Sequence, residues 1–451
     1  MSTICALSTP NAVGGIAVIR ISGSRAIEIA DGIFVPFGST PVRKMAGHTC
    51  AYGKIVDGEK TVDDVLLTVF RAPKSYTGED TVEISCHGGV YVSKKIIRLL
   101  LSLGCEPATA GEFTKRAFLN GKLSLTQAEG VADIISAQGE ASLQSANLMR
   151  EGKLYKTARG VCDRLINILG SLAAWTDYPD EDIPETDNVS LGRTLSVCES
   201  VLNKLLSDYD TGRILRDGID TAIVGKPNVG KSTLMNMLLG YERSIVTDIA
   251  GTTRDVIEES VRLGEVVLRL SDTAGIRDSS DTVESIGVGL AKKKLDEARL
   301  VLAVFDGSRE MDDEDRELLL LIENRRHIVI INKSDLEQKL DLEYNNYKNI
   351  LIVSAKEGVG LDSLKEKIYD MFKLDNLGDS AQIFANERQK LCCEQAYEAI
   401  LQAKTALLSG ETLDAVTICV DRAASALLEL TGEKTTEAVV DDVFSRFCVG
   451  K

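Results

Sequence analysis

The 451-residue sequence has no segment suited to crossing a bilayer. No run reaches the roughly 18 consecutive apolar residues that a spanning helix needs. The start, Met1-Ser2-Thr3-Ile4-Cys5-Ala6, lacks the basic residues and long apolar core of a secretory leader. The expected compartment is therefore the cytoplasm, with no membrane partner. Metal-type cysteine pairs are also missing: the ten cysteines contain no Cys-x-x-Cys at zinc-ligand spacing. Cys392 and Cys393 are adjacent on an expected helix, point in different directions and make a poor metal pair. Most of the ten read as small core residues in a chain that needs no disulfides. Positive charge is scarce, with 52 Lys+Arg against 68 Asp+Glu for a net of −16 and a pI near 4.9. That balance argues against gripping nucleic acid by phosphate neutralisation alone. The deficit is uneven. Residues 1–118 hold 13 Lys+Arg and 11 Asp+Glu, a net of +2, which leaves −18 on the remaining 333. Any nucleic-acid contact is expected to be local, or made by a partner.

What is present is the composition of a globular protein, 44% hydrophobic and 27% charged with a mean hydropathy near zero. The length exceeds what one core can organise and suggests two or three domains at roughly 150 residues each. The first 118 residues mix β-branched runs, Ile16–Ile21 and Asp64–Phe70, with a helical pattern over Val92–Leu103. From about Asn120 the pattern is helix after helix, with Gln127–Ser145 and Lys153–Trp175 rich in Ala, Leu and Ile and almost free of proline. Asp177-Tyr178-Pro179-Asp180-Glu181-Asp182-Ile183-Pro184 reads as a loop between helices. At Ile219 short apolar runs begin to alternate with helices: Thr221–Val224, Val266–Leu270, Leu300–Phe305, Ile328–Ile331 and Ile350–Val353. This rhythm belongs to a mostly parallel sheet covered by helices. Helices return at Gln389–Leu408 and Leu413–Leu430. The expected architecture is multidomain α/β. An α+β domain occupies 1–118, and a discontinuous helical domain is built from 119–217 and 377–451. An α/β nucleotide-binding domain, 218–376, is inserted into the latter.

Gly225-Lys226-Pro227-Asn228-Val229-Gly230-Lys231-Ser232, followed by Thr233, fits the phosphate-loop pattern between a strand and a helix. Backbone N–H groups of such a turn converge on phosphates, the helix N-terminus adds partial positive charge, Lys231 bridges the β- and γ-phosphates, and Ser232 ligates Mg2+. Asp272-Thr273-Ala274-Gly275 follows a strand, where an acid reaches Mg2+ through water and a glycine amide senses the γ-phosphate. In Asn332-Lys333-Ser334-Asp335 the Asp335 carboxylate can accept both N–H donors on the guanine edge, which adenine lacks; this selects GTP over ATP. Ser354-Ala355-Lys356 ends the next strand, where main-chain N–H groups can meet the guanine carbonyl. Thr247-Asp248-Ile249-Ala250-Gly251-Thr252-Thr253, continuing to Arg254, lies where the first switch loop belongs. Arg254 and Arg277 flank the two switches, and loop ordering and phosphate contact both remain open for them. Ile276 stands where Ras-like proteins place the water-orienting glutamine, so water must be positioned from elsewhere.

These motifs resemble those of the translation-factor-like GTPases. The whole chain is similar to the MnmE (TrmE) family of tRNA-modification GTPases, from Gly14-Gly15-Ile16-Ala17-Val18-Ile19-Arg20-Ile21-Ser22-Gly23 to Cys448-Val449-Gly450-Lys451. The resemblance implies a Ras-like P-loop domain that hydrolyses GTP when the domains of a homodimer meet across K+. It places K+ on Asn228, Thr247, Ile249 and Thr252, Mg2+ on Ser232 and Thr253, and water positioning on Glu284. It implies an N-terminal dimerisation domain binding a tetrahydrofolate derivative, 5-formyl or methylene, through Arg20, Glu83, Lys122 and Lys451. Cys448 matches a cysteine near the modification site, with chemistry and shaping of the folate site both open. The implied activity modifies the wobble uridine of tRNA in a heterotetramer with the flavoprotein MnmG, which brings FAD and NADH. A GTP-gated assembly factor without modification chemistry, for instance for ribosomes, is the alternative.

Overall fold

The computed structural model describes residues 1–137, 139–177, 188–207, 209, 213–214, 217–241, 259–264, 266–272, 295–340, 349–372 and 386–450. In chain order the first elements are β1 Ile4–Leu7, β2 Ile16–Ser22, α1 Ala26–Asp31, β3 Phe34–Pro36, β4 Thr49–Asp57, β5 Lys60–Phe70, β6 Thr81–His87, α2 Val90–Ser102 and β7 Glu106–Pro107. Helices follow as α3 Glu112–Leu119, α4 Leu125–Ser136, α5 Glu140–Arg150, α6 Lys153–Asp177 and α7 Asn188–Ser207. The next set is β8 Ile219–Val224, α8 Lys231–Tyr241, β9 Glu259–Leu263, β10 Val266–Asp272, β11 Leu300–Asp306, α9 Asp313–Ile322, β12 His327–Asn332, β13 Ile350–Ile352 and α10 Leu361–Phe372. Three helices, α11 Glu387–Leu408, α12 Leu413–Thr431 and α13 Glu437–Ser445, complete the described chain. Two compact units result: Met1–Ala132 with Met149–Leu202 and Leu391–Lys451, and Asp133–Leu148 with Asn203–Lys390.

In the first unit, seven strands lie in the order β3-β4-β5-β6-β2-β1-β7, antiparallel except for β1 beside β7. Side chains on a strand alternate between faces. Ile19 and Ile21 of β2 therefore share one face, opposite Ile84 and Val82 of β6, and all four are buried. Helices α1 and α2 cover that face, adding Ile27, Ile29, Ile96 and Leu100 to one core. Arg20, between the two isoleucines, turns to the other face, in register with Glu83. The helical part buries thiols as the composition suggested. Cys162 and Cys198 are 0% exposed, and Cys392 and Cys393 are 4% and 0%.

The C-terminal end packs into this unit. Phe444 and Phe447 join Leu125 and Ala128 in a small core, and Val449 bridges Ala110 in antiparallel fashion. Gly111 makes the approach feasible: its φ is +64°, and a Cβ there would lie 2.6 Å from the Phe444 carbonyl oxygen and 2.9 Å from the Phe447 Cβ.

The second unit contains a sheet ordered β13-β12-β11-β8-β10-β9. All its pairs are parallel except β9 with β10. Strand β11 is buried at every position, as a parallel strand covered on both faces requires. With a phosphate-loop turn leading from β8 into α8, this is the Ras-like P-loop arrangement. In such sheets ligands bind at the carboxyl ends of the strands. Those ends deliver Val224, Asp272, Asp306, Asn332 and Ile352.

One element differs from expectation. The single helix expected over Gln127–Ser145 is two, α4 and α5. Gly139 is a weak helix former, and the Ser142 hydroxyl oxygen accepts the Gly139 N–H at 3.1 Å, so a new helix starts there rather than continuing the old one. The segment 178–187, expected as a loop, lies outside the described residues.

Removing the more deeply buried of the two phenylalanines in the small core tests how the C-terminal end is held. Phe444 is 1% exposed, and Phe444→Ala is expected to cost about 3–5 kcal/mol. The loss is read as a lowered urea midpoint of the first unit; an unchanged midpoint would contradict this packing.

Candidate nucleotide site

Helix α8 begins at Lys231, directly after the glycine-rich turn. Gly225 has φ +151° and Gly230 φ +101°. A Cβ on the first would collide with the Val304 carbonyl oxygen, and on the second with the Asn332 side-chain amide. Glycine is thus required at both ends of the loop by close packing against β11 and β12. Between them Asn228, with φ +65°, stands exposed at the tip while Val229 is buried. Lys231 Nζ donates to the carbonyls of Gly225 at 2.7 Å and Lys226 at 2.8 Å. Both bonds lie within the loop that it is expected to serve. Ser232 and Thr233 occupy the exposed first turn of α8.

Asn332 connects this loop to the others. It is 3% exposed; its Nδ2 donates to the Val229 carbonyl at 2.9 Å, and its Oδ1 accepts the Ala355 N–H at 2.9 Å. Asp335 is joined to the same cluster, because the Ser354 hydroxyl donates to its Oδ1 at 2.7 Å. That hydrogen bond is the main cause holding the Asp335 carboxyl below its ordinary range. It is therefore ionised at neutral pH, the acceptor-only form that can take two guanine N–H groups. Lys333 has φ +67° and donates to Asp306 Oδ2 at 2.6 Å. Burial tends to raise the Asp306 pKa, but Lys333 and Ser308 outweigh it and the net shift is downward. Lys356 is exposed beside Glu357.

The structure thus gathers Asn228, Val229, Gly230, Lys231, Ser232, Thr233, Asn332, Lys333, Asp335, Ser354, Ala355 and Lys356 at the carboxyl ends of β8, β12 and β13 in one sheet. Asp272 closes β10 opposite Ile223, with its side chain outside the described set. Thr247, Asp248, Ile249, Ala250, Gly251, Thr252, Thr253, Thr273, Ala274, Gly275 and Glu284 also lie outside the described residues, as do Arg254, Ile276 and Arg277. Asp306 was not singled out from sequence. Its signal is an acid closing a strand of otherwise apolar residues, Leu300–Asp306.

For Mg2+ the donor chemistry fits: Ser232 offers a hydroxyl on an exposed helix start, a hard oxygen beside the expected phosphates. For K+, Asn228 supplies one exposed amide oxygen of the same hard type. Among the described residues no group of three or more His, Cys, Asp or Glu side chains could hold a metal by itself.

The first unit carries a second polar constellation. Arg20 donates through Nε to Glu83 Oε1 at 2.9 Å, with Nη2 2.8 Å from the same oxygen. Its Nη1 donates to the Gly450 carbonyl at 3.3 Å. The Tyr76 and Phe113 rings lie 5.7 Å and 5.6 Å from its guanidinium carbon. A charged pair with the partly exposed Tyr76 ring and a half-buried carboxylate suits a flat heterocycle bearing N–H donors, so the residues fit a folate. Lys122 is engaged elsewhere, donating to the Pro73 carbonyl at 3.0 Å. Cys448 is exposed and its carbonyl accepts the Gly111 N–H at 3.3 Å. Lys451 lies outside the described residues.

A family model described as the GTP-binding protein TrmE N-terminus matches residues 3–122, and one described as the MnmE helical domain matches 125–448. A curated protein from Carboxydothermus hydrogenoformans, named tRNA modification GTPase MnmE, is 43% identical over 100% of this chain and 99% of its own length. A protein of the same name from Clostridioides difficile is 40% identical with the same coverage. Among solved structures, an Aquifex aeolicus Era variant bound to GDP.AlF4- is 28% identical over 41% of this chain and 67% of that one, at a TM-score of 0.27. The G domain of the T. maritima FeoB iron transporter is 29% identical over 34% and 98%, at a TM-score of 0.26. No helix among the described residues is long and apolar enough to cross a membrane. A glycine-bounded phosphate loop, a guanine-type carboxylate and full-length likeness to curated relatives converge, and the chain belongs to the MnmE (TrmE) family of tRNA modification GTPases.

Proposed function

We propose that this chain is a K+-activated GTPase that works with the flavoprotein MnmG to install the 5-carboxymethylaminomethyl or aminomethyl group on the wobble uridine of tRNA. GTP hydrolysis drives domain movement in a homodimer, within a heterotetramer with MnmG, in the cytoplasm. The observation that carries the GTPase part is Asn332, whose carboxamide links the phosphate loop to the strand end beside Asp335. One side chain therefore registers both ends of a guanine nucleotide.

In this reading Lys231 exchanges its two loop carbonyls for the β- and γ-phosphates, a swap between acceptors already at hand. Asp335 accepts the guanine N1–H and amino group, while the Lys356 main-chain N–H is offered to the carbonyl, that of Ala355 being held by Asn332. Ser232 and Thr253 would hold Mg2+ through their hydroxyls, supported by the Asp272 carboxylate. Asn228, Thr247, Ile249 and Thr252 hold K+. Bound there, the cations would supply neutralisation of charge developing on the phosphates. Glu284 orients the attacking water, a task for which Ile276 has no polar group. The proposed domains, 1–118, 119–217 with 377–451, and 218–376, divide the labour between folate binding, helical scaffold and switch.

In the first unit Glu83 pairs with Arg20 through one oxygen. The other is the group that meets the N–H donors of a tetrahydrofolate derivative, with Lys122 and Lys451 closing on its acidic portion and Cys448 nearby. FAD and NADH enter with the partner. This constellation is what favours modification chemistry over a bare assembly factor.

Three experiments test the reading. Wobble uridines of tRNA from cells lacking this chain are expected to lose the carbon-5 group, and complementation with Glu83→Gln is expected to leave it missing; intact wobble bases would refute the assignment. GTP turnover is expected to be faster in K+ than in Na+ by at least about tenfold, the equivalent of ~1.4 kcal/mol, with Asn228→Ala abolishing the difference. Equal rates in both salts would remove K+ from the mechanism. Asp335→Asn is expected to move preference from GTP to XTP, because the amide donates where the carboxylate accepted; unaltered use of GTP would sink the guanine assignment.

A further inference from the structure

The phosphate loop carries a second lysine that nucleotide chemistry leaves unexplained. Lys226 sits beside Gly225, yet its side chain is only 10% exposed. Its ammonium meets three carboxylates at the start of α9: Asp312, the nearest, Asp315 Oδ2 at 3.3 Å and Glu314 Oε2 at 3.6 Å. A cation withdrawn this far from water is costly unless paired, so the partners fix its position. The carboxylates are themselves fixed. Asp312 caps α9 by accepting the Asp315 N–H at 3.2 Å, and Asp315, 2% exposed, accepts the Asp312 N–H in return at 3.3 Å. Arg309 adds a second cation, 3.9 Å from Asp312 and 3.7 Å from Asp315.

The anchored residue also presents a functional carbonyl. Lys226 O and Gly225 O together hold Lys231 Nζ, so the ion cluster fixes the same peptides on which Lys231 rests. The other limb of the loop is held at Val229 by Asn332. We propose that Lys226 is a positioning residue for nucleotide retention: clamped to the capped end of α9, it braces the first limb of the phosphate loop in its phosphate-ready shape. The proposal rests on reading Gly225–Ser232 as the phosphate loop. A brace of this kind favours bound nucleotide and transition state alike, so it affects binding rather than the chemical step.

The test uses the full chain in K+ and Mg2+, measuring steady-state GTP hydrolysis and release of fluorescent N-methylanthraniloyl-GDP. Lys226→Met is expected to raise KM and the release rate by about tenfold, the loss of a charge-assisted anchor, with kcat within about twofold of the parent. Lys226→Arg, which keeps the charge, is expected to recover most of that loss. Asp312→Asn retains a good N-cap while removing the carboxylate; it is expected to move KM and release in the same direction as Lys226→Met, and carries the test if that variant fails to fold. Glu317→Gln removes a charge from an exposed position of the same helix and is expected to change neither. Unchanged KM and release in Lys226→Met, a fall in kcat at constant KM, or an arginine variant as impaired as the methionine one would overturn the proposal. Lys231→Ala separates the two readings. If it binds GDP like the parent, the phosphate-loop assignment itself fails; if it loses binding while Lys226→Met does not, only the brace fails.

Discussion

Asn332 is 3% exposed, and a carboxamide so far from water must satisfy a donor and an acceptor at once. It does so across chain distances of more than twenty and more than a hundred residues, to Ala355 and to Val229. Both partners are main-chain atoms of loops that follow parallel strands. Fixing them sets the spacing between the turn proposed to hold phosphates and the turn proposed to hold the base. The rest of the second unit follows from this constraint. Gly230 has no side chain because the Asn332 amide occupies the space, and β8, β11, β12 and β13 run parallel so that their carboxyl ends come together.

Around that centre, charged side chains fix further points of the same loops. Asp306 holds Lys333, Ser354 holds Asp335, and the carboxylates at the start of α9 hold Lys226. Each is half-buried or less exposed on at least one side, where hydrogen bonds to charged groups are worth more than at an open surface.

The first unit solves a different problem, bringing a distant chain end to a strand. Alternation along β2 turns Arg20 away from the isoleucine core and toward Glu83. The Phe444 and Phe447 rings beside Gly111 then seat Gly450 so that its carbonyl reaches the same guanidinium. The strand was legible in the β-branched run Ile16–Ile21, whereas the pairing of Arg20 with Glu83 came only from the register of β2 against β6. The docking of the chain end was not legible either, because it depends on shape at Gly111, where a φ of +64° and missing Cβ matter and no periodicity reports them. The helix break at Gly139 was likewise hidden by apolar spacing that runs through it.

The sequence by itself determined the succession of a mixed first region, a helical region, a parallel-sheet region and helices again, together with the glycine-rich turn and the acid proposed to meet guanine, because these depend on local spacing: glycines at a turn, β-branched runs of strand length, an acid three residues beyond an asparagine. Tertiary structure alone decided which side chains hold those motifs in place. Asp306, Lys226 and Asp312 are ordinary surface-type residues in a one-dimensional reading. They become partners only when parallel strands carry residues 226, 312 and 333 to one end of a sheet, since Coulombic and hydrogen-bonding contacts act at a few ångströms and not along the chain.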